Sequence, residues 1–411
     1  MIQQIKPILV ALKRHKAGTV LIALQIALTL AIVCNALFII EQRVNRLQRP
    51  TGVTESDLLA VQSRFVGATD ADTPPLIRSD VLALRQVPGV ADAYATNSFP
   101  LRGGGWSTGI KTDPDARKSI TQTTQYFVDE HALATLGSKL VEGRNFNAGE
   151  VSVTDPKAMK TAPQILITKA LGEKLFPKQS ALGKVVYLGD DKSPATVIGV
   201  LDRLQVPWSG TWADNFQEYA VLQPYQLSGN FTVYLIRAKP GQLAAITKAV
   251  PETLFKVNHM RVITGKRGIR SFEKVRADAY RSDRGMAILM SVVCLVLLAI
   301  TAAGIVGLTS FWVGQRRKQI GVRRALGATR GDILGYFMTE NLLIGAVGVV
   351  IGAGLAIGMN LWLVSHFEMA RLSLLYVLAG IVLLLILGQG AVLAPALRAA
   401  RVSPVEATRS A

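Results

Sequence analysis

The 411-residue sequence lacks the short motifs that mark common catalytic sites. No segment matches G-x-x-x-x-G-K-[ST], H-E-x-x-H, G-x-S-x-G or C-x-x-C, which argues against a phosphate-binding loop, a zinc protease, a serine hydrolase and a redox dithiol. The four histidines are too dispersed along the chain to suggest a metal site. We therefore predict that this chain is not an enzyme and itself binds no metal and no cofactor.

Cysteine is also scarce. The only two, Cys34 and Cys294, lie in apolar segments, and residues 41–284 contain none. This long polar region is therefore expected to be held by its core and not by disulfides. We interpret both thiols as small apolar packing residues.

Long apolar runs are abundant. Four segments, 17–40, 285–314, 333–364 and 372–394, each contain at most one ionisable residue. About 20 apolar residues suffice for a helix to cross roughly 30 Å of hydrocarbon. The sequence therefore predicts an α-helical membrane protein with four transmembrane helices. A large α+β periplasmic domain, 41–284, is expected between helices 1 and 2.

Basic residues are concentrated in three short segments: the N-terminal segment 1–16, the loop 315–332 and the tail 395–411. Because Lys and Arg in short loops stay cytoplasmic, we place both termini in the cytoplasm of a bacterium and the chain in its inner membrane as a multi-pass protein. Segment 1–16 has apolar residues at helical spacing, which is typical of an interfacial helix on membrane lipid. The net charge of +18 then requires no nucleic-acid partner.

Within the predicted periplasmic domain, a strand–helix–strand pattern occurs near each end, and the two patterns are expected to complete one sheet. Between them, strands and a helix at about 120–205 indicate an inserted subdomain, and the glycine-rich residues 102–109 indicate a loop. Helical periodicity continues past the first span and precedes the second. We therefore predict stalk helices at both ends of the domain.

The basic loop 315–332 is the most patterned segment. If 316–330 is one helix, its arginines share one side while Val322, Ala325 and Leu326 lie opposite. Gly327 is placed to end that helix, and Thr329-Arg-Gly-Asp332 has the spacing of a capping box. Such a segment suits docking into a groove of another protein; anchoring to the membrane surface is the alternative. The candidate coupling residues are Ile320, Gly321, Val322, Arg323, Arg324, Ala325, Leu326 and Gly327.

The third span carries two further candidate sites. Gly348–Gly352 and Gly354–Gly358 are G-x-x-x-G pairs, which let helices approach closely, either within one chain or in the dimer that we favour. Glu340 is the one carboxylate inside a predicted span. Intramembrane acids are candidate functional groups, but a buried hydrogen-bond partner and a snorkelling side chain remain equally open.

These residues also resemble a known family. The segment 319–334 (QIGVRRALGATRGDIL), with the glycine-rich span after it, resembles the signature of the MacB/FtsX-like permeases of ABC transporters. Residues 126–146 and 165–200 resemble the MacB-type periplasmic core domain, and 395–407 is similar to the family ending. The likeness covers nearly the whole chain. It departs at Gln319, where many members carry an acid, so one charge contact to the ATPase is missing or replaced.

The resemblance implies a permease subunit, split from its ATPase, that transmits ATP-driven motion to a periplasmic domain which exports or handles a substrate. In that family the loop between the second and third spans binds the ATPase, which would hold ATP and Mg²⁺. A second permease chain, identical or paralogous, is the further implied partner, and a periplasmic adaptor protein is an additional candidate. The alternative is a regulator or sensor of the ABC type that activates a periplasmic enzyme without transport.

Overall fold

A computed structural model describes residues 16–157, 160–367 and 371–403. The interfacial helix expected at 1–16 therefore lies outside the described residues except for its last position. The chain divides into two compact units. The helical unit comprises Met1–Leu47 with Asp283–Ala411, and the outer domain comprises Gln48–Ser282.

The elements follow one another in chain order. The first are α1 (Lys16–Leu47), β1 (Leu58–Phe65), α2 (Thr73–Gln86), β2 (Val90–Thr96), β3 (Trp106–Lys111), β4 (Thr121–Phe127), α3 (Ala132–Leu136), β5 (Leu140–Gly143), β6 (Ser152–Thr154), β7 (Gln164–Thr168) and α4 (Lys169–Leu175). Next come β8 (Val185–Leu188), β9 (Ala195–Leu201), β10 (Ala220–Gln223), β11 (Tyr225–Leu227), β12 (Phe231–Ala238), α5 (Leu243–Val257), β13 (Arg261–Val262), α6 (Gly265–Gly268) and β14 (Ile269–Ser271). The last are α7 (Phe272–Ala279), α8 (Arg281–Gln315), α9 (Arg317–Ala325), α10 (Arg330–Phe367) and α11 (Leu374–Ala400).

The first sheet of the outer domain joins the two ends of the domain sequence. Its strand order is β13-β1-β12-β2, and β14 also pairs with β1. Strands β1 and β12 are antiparallel, from Leu58 opposite Arg237 to Arg64 opposite Phe231. Apolar side chains of these strands form one core with those of α2 and α5. The two strand–helix–strand patterns therefore complete one sheet, as predicted.

The second sheet extends beyond the segment 120–205 where we expected the inserted subdomain. Its order is β5-β9-β7-β10-β4-β3-β8, and a further pairing of β8 with β9 closes the sheet into a ring of strands. Both β3 and β10 lie outside the predicted bounds, so those bounds were too narrow. Strand β3 was mistaken for part of a glycine-rich loop, because three glycines directly precede it and its own residues include Gly109. Its pairing with β4 makes it a strand.

Among the helices of the described residues, α1, α8, α10 and α11 are long and apolar enough to cross a membrane, which gives the four spans predicted. Helix α1 continues to Leu47, so the first stalk is the same helix as the first span. The second stalk is different, because α7 and α8 are separated at Tyr280. The Tyr280 ring is buried, and Gln205 Nε2 donates a 2.9 Å hydrogen bond to its hydroxyl. At the other end of the chain, α11 continues to Ala400 and includes residues expected in the tail.

Candidate coupling site

Helix α9 ends in a Schellman motif. The helix ends at Ala325, and Gly327 follows with a φ of +98°, a conformation that favours glycine. The Gly327 amide donates to the Arg324 carbonyl and the Ala328 amide to the Arg323 carbonyl. Helix α9 therefore ends where Gly327 was expected to end it. Arg330, which the helical wheel over 316–330 included, lies in α10 instead.

The next helix begins with the capping box expected at Thr329. The Asp332 carboxylate accepts hydrogen bonds of 2.8 Å from the Thr329 amide and 2.7 Å from its hydroxyl. The Asp332 amide in turn donates to the Thr329 hydroxyl oxygen at 3.2 Å. Since a Schellman turn ends α9 and a capping box starts α10, the connection between them is fixed at both ends.

One side of α9 is anchored in the helical unit. Ile320 is buried and belongs to the same apolar cluster as Ile333 and Phe337 of α10. The neighbouring Gly321 is buried as well. Arg323 places its guanidinium 5.1 Å from the centre of the Tyr336 ring, within the range of a cation–π contact. Helix α9 is therefore positioned by α10.

A buried ion pair adds to this anchoring. Arg316 Nη1 donates to both carboxylate oxygens of Glu340, each at 3.0 Å. The exposed fraction is 11% for the Arg316 side chain and 3% for the Glu340 side chain. Among the alternatives for Glu340, the structure favours the buried hydrogen-bond partner. Arg316, which we had grouped with the exposed arginines of α9, instead faces inward.

The opposite side of α9 exposes three neighbouring apolar residues in the described chain. Val322 is 47% exposed and Leu326 is 83% exposed. Ala325 is also exposed. We refer to Val322, Ala325 and Leu326 as the apolar patch. Leu326 is the C-cap residue, so its side chain lies at the C-terminal end of α9.

The four glycines of the third span fall into two classes. A Cβ atom at Gly348 would lie 2.9 Å from the Ala23 carbonyl oxygen, and one at Gly352 would lie 2.8 Å from the Ala27 carbonyl oxygen. These two glycines therefore let α10 contact the backbone of α1. A Cβ atom at Gly354 or Gly358 would meet no heavy atom within 4 Å in the described chain.

Helix α8 contacts α1 through both apolar and polar side chains. Val33 and Ala36 of α1 form an apolar cluster with Cys294 of α8. The hydroxyls of Thr29 and Thr301 are 2.8 Å apart, and Gln25 Nε2 donates to the Ile300 carbonyl at 3.1 Å. Beyond the apolar stretch, Arg43 Nη1 donates to the Asp283 carboxylate at 2.6 Å. These contacts join α8 to the helix that leads towards the outer domain.

Two family models match this chain. The MacB-like periplasmic core domain matches residues 19–253, and the FtsX-like permease C-terminal model matches residues 291–404. The first match alone covers more than half of the 411 residues. The chain belongs to the MacB/FtsX-like permeases of ABC transporters. It is accordingly a membrane protein with a periplasmic domain, and that domain is the outer domain described above.

Among the relatives of this permease, the macrolide export ATP-binding/permease protein MacB 1/2 of Paracoccus denitrificans is 25% identical, over 97% of this chain and 57% of that protein. MacB of Chromobacterium violaceum is 27% identical, over 54% of this chain and 33% of that protein. The uncharacterised ABC transporter permease YknZ of Bacillus subtilis is 22% identical, over 80% of this chain and 78% of that protein. The permease thus matches only part of the length of the MacB proteins.

A solved structure, the periplasmic region of MacB from Actinobacillus actinomycetemcomitans, is also similar. It has a TM-score of 0.35 and 17% identity, and the match covers 57% of this permease and 97% of that chain. Within the described residues of the permease, no group of three or more His, Cys, Asp or Glu side chains is arranged to hold a metal ion.

Sequence reasoning missed two residues of the permease that position α9. Arg316 was treated as one more exposed cation, and Tyr336 was not considered. A signal for Arg316 existed, because an acid within a span requires a partner and Arg316 directly follows the preceding helix. For Tyr336 no comparable signal exists, since an aromatic residue near the end of a span is common.

Proposed function

We propose that this permease receives ATP-driven motion from a separate ATPase through α9 and transmits it to the periplasmic domain, which exports or handles a substrate. The observation that carries the proposal is the two-sided character of α9. One side is fixed to α10 by Ile320 and by the Arg316–Glu340 pair, while the apolar patch on the other side is uncovered. A helix built in this way can both bind a partner and pass on its displacement.

The route from α9 follows the closest helix contacts of the helical unit. Helix α10 is held to α1 at Gly348 and Gly352, and Asn35 Nδ2 of α1 donates to the Ala356 carbonyl of α10 at 3.2 Å. Helix α1 then continues without a break to Leu47, where the outer domain begins. A displacement of α9 would move α10 through these side-chain contacts. Helix α10 would then move α1 with it, because Gly348 and Gly352 leave no layer of side chains between the two backbones.

The proposed assembly contains two permease chains, identical or paralogous, each with one ATPase. Gly354 and Gly358 leave an open surface on α10 that suits close approach of another helix. ATP and Mg²⁺ would be held by the ATPase, and this chain would perform no catalysis. A periplasmic adaptor protein is a further candidate partner. A regulator that acts on a periplasmic enzyme would use the same route from α9, and measuring export of a substrate distinguishes the two.

The proposed orientation places both termini and α9 in the cytoplasm. It is tested with single cysteines at Asp190, which is exposed in the outer domain, and at Gln319, which is exposed on α9. A membrane-impermeant maleimide should label Asp190→Cys in intact spheroplasts and Gln319→Cys only after the membrane is permeabilised. Labelling in the reverse pattern would overturn the orientation and the coupling role of α9.

The coupling role is tested by Leu326→Asp. Burial of an apolar anchor is worth about 1.5–3 kcal/mol, so the aspartate should weaken ATPase binding by about 10-fold to 150-fold. Co-purification of the ATPase with the permease, and stimulation of ATP hydrolysis, are the measurements. Leu326→Met, which keeps an apolar side chain of similar volume, is the matched control and should bind normally.

Arg323→Ala should have a smaller effect than Leu326→Asp, and that effect should shrink as salt rises, because exposed charge contacts are weak and screened. If Leu326→Asp leaves ATPase binding and ATPase stimulation unchanged while the permease inserts normally, α9 is only a membrane anchor.

A further inference from the structure

The outer domain contains a cavity between its two larger sheets. The cavity has a volume of about 390 Å³ and is lined by the end of β2, the starts of β3 and β12, the end of β4, and β11 with the turn that follows it. Pockets that hold small organic molecules typically measure roughly 300–1,000 Å³. All of these elements belong to the outer domain, so the cavity lies within one compact unit.

Aromatic side chains form much of the cavity wall. The ring centres of Trp106 and Phe127 are 5.3 Å apart at an angle of 80°, and those of Phe127 and Tyr225 are 6.5 Å apart. Trp106 is 37% exposed and Phe231 is 36% exposed, whereas Phe127 is fully buried behind its neighbours. Exposed aromatic faces beside a cavity provide contact area for a flat or apolar group.

A half-buried cation, Arg102, also lines the cavity. Its guanidinium carbon lies 5.0 Å from the centre of the Phe231 ring, and its Nη1 donates to the Gly104 carbonyl at 3.0 Å. In the part of the chain that the structure describes, Arg102 has no carboxylate partner, and its buried Nε has no acceptor. Burial, together with the like charge of Arg270, lowers the pKa of Arg102.

Within the described residues, the Arg102 guanidinium lacks the opposite charge that usually accompanies a cation shielded from water, and its Nε lacks a hydrogen-bond acceptor. Removing a cation from water is costly unless an acceptor or an opposite charge replaces the water. The two acids that line the cavity, Asp70 and Asp155, are exposed and do not pair with Arg102. An anionic group entering the cavity would therefore supply the missing partner of Arg102.

We propose that this cavity binds an amphipathic organic anion. Its apolar or aromatic part contacts Trp106 and Phe231, and its carboxylate, sulfonate or phosphate accepts hydrogen bonds from Arg102. The inference goes beyond the coupling role proposed above, because binding at the cavity requires neither the ATPase nor transport. Failure of one proposal therefore leaves the other intact.

The test compares two probes that differ in charge, 2-naphthalenesulfonate and 2-naphthalenemethanol. Binding of each is measured by equilibrium dialysis against the full chain in detergent without ATPase, with empty micelles as the blank. Hydrogen bonds to charged groups predict that the sulfonate binds at least about tenfold more tightly than the alcohol. Arg102→Gln should remove this preference by weakening the sulfonate and leaving the alcohol unchanged.

Arg64→Gln is the matched control, because Arg64 is an exposed arginine of the same domain that does not line the cavity. It should leave both affinities unchanged. Trp106→Ala should weaken both probes to a similar degree, which gives a second readout if Arg102→Gln fails to fold. The proposal is overturned if the unsubstituted chain shows no saturable sulfonate binding, if it binds both probes equally, or if Arg102→Gln and Arg64→Gln behave alike.

Discussion

Helices α10 and α8 both contact α1, but they do so in different ways. At the α10 contact, Gly348 and Gly352 bring the two backbones together, so that no side chain separates them. At the α8 contact, side chains bridge the space between the helices. Some are polar, such as Thr29 and Gln25, and others are apolar, such as Val33 and Cys294. Many large apolar side chains of α8, including Ile288 and Leu295, are exposed in the described chain.

If α9 receives motion from an ATPase, as we propose, this difference determines which helix would transmit it. A backbone contact through glycine has little room to absorb a displacement, whereas side chains that bridge a gap can change rotamer as the helices shift. Helix α9 is also anchored to α10, both by Ile320 and by the ion pair at Glu340. In the proposed mechanism, the path from the apolar patch to α1 therefore runs through α10, although α8 is the helix that precedes α9 in sequence.

The largest expected effect concerns the ion pair that ties α9 to α10. Glu340→Gln should lower the free energy of unfolding by about 3 kcal/mol, because it leaves the Arg316 guanidinium buried without a counter-charge. Chemical unfolding in detergent is the measurement. The double variant Arg316→Gln, Glu340→Gln should recover part of the loss, since neither charge is then left alone. A stable Glu340→Gln variant would mean that Arg316 reaches water and that the pair contributes little to the anchoring.

The next effect concerns the glycine contact itself. Gly352→Leu should lower the free energy of unfolding by about 2 kcal/mol, because its Cβ would lie 2.8 Å from the Ala27 carbonyl oxygen and push the helices apart. Gly354→Leu is the matched control on the same helix and should change the stability of the monomer by less than about 0.5 kcal/mol.

The same control also tests the proposed second chain. If another permease packs against α10 at Gly354, then Gly354→Leu should weaken the dimer while leaving the monomer stable, which cross-linking in membranes would detect. Equal effects of Gly352→Leu and Gly354→Leu on monomer stability would remove the distinction between the two glycine pairs.

The smallest effect is expected at the α8 contact. Thr301→Val removes the 2.8 Å contact with the Thr29 hydroxyl while keeping the shape of the side chain. Polar contacts between membrane helices average about 0.6 kcal/mol, so the loss should be of that order. Ser291→Ala serves as the control, because its hydroxyl donates only within α8, to the Ala287 carbonyl. A loss as large as that of Gly352→Leu would show that α8 is held as firmly as α10.

The four spans and the first sheet were predictable because they depend on patterns that are local in sequence. The length of an apolar run predicts a span, and strands flanking a helix predict a sheet layer. The sequence indicated that Glu340 needs a partner but not that Arg316 provides it, because Arg316 lies in the turn after α8 and only folding brings the two together. The same holds for Trp106–Lys111, whose strand conformation depends on pairing with β4 and β8.

The end of α9 shows a different limit. The helical wheel over 316–330 separated the arginines from the apolar residues correctly at Val322 and Leu326. It failed at Arg330, which lies in the first turn of α10. Arg330 lies on a separate helix because the Schellman turn at Gly327, a glycine with positive φ, ends α9 before it. The sequence indicated that Gly327 can end a helix. The helical spacing of basic and apolar residues nevertheless continues past Gly327, so the wheel placed Arg330 on the same helix.

The distribution of thiols also bears on how the protein matures in the cell. Cys34 and Cys294 are both buried in membrane helices, and residues 41–284 contain no cysteine at all. The outer domain can therefore reach its native state without a disulfide-forming oxidase or an isomerase. Its assembly should proceed equally well in aerobic and anaerobic cultures, and in strains that have lost their thiol-oxidation machinery.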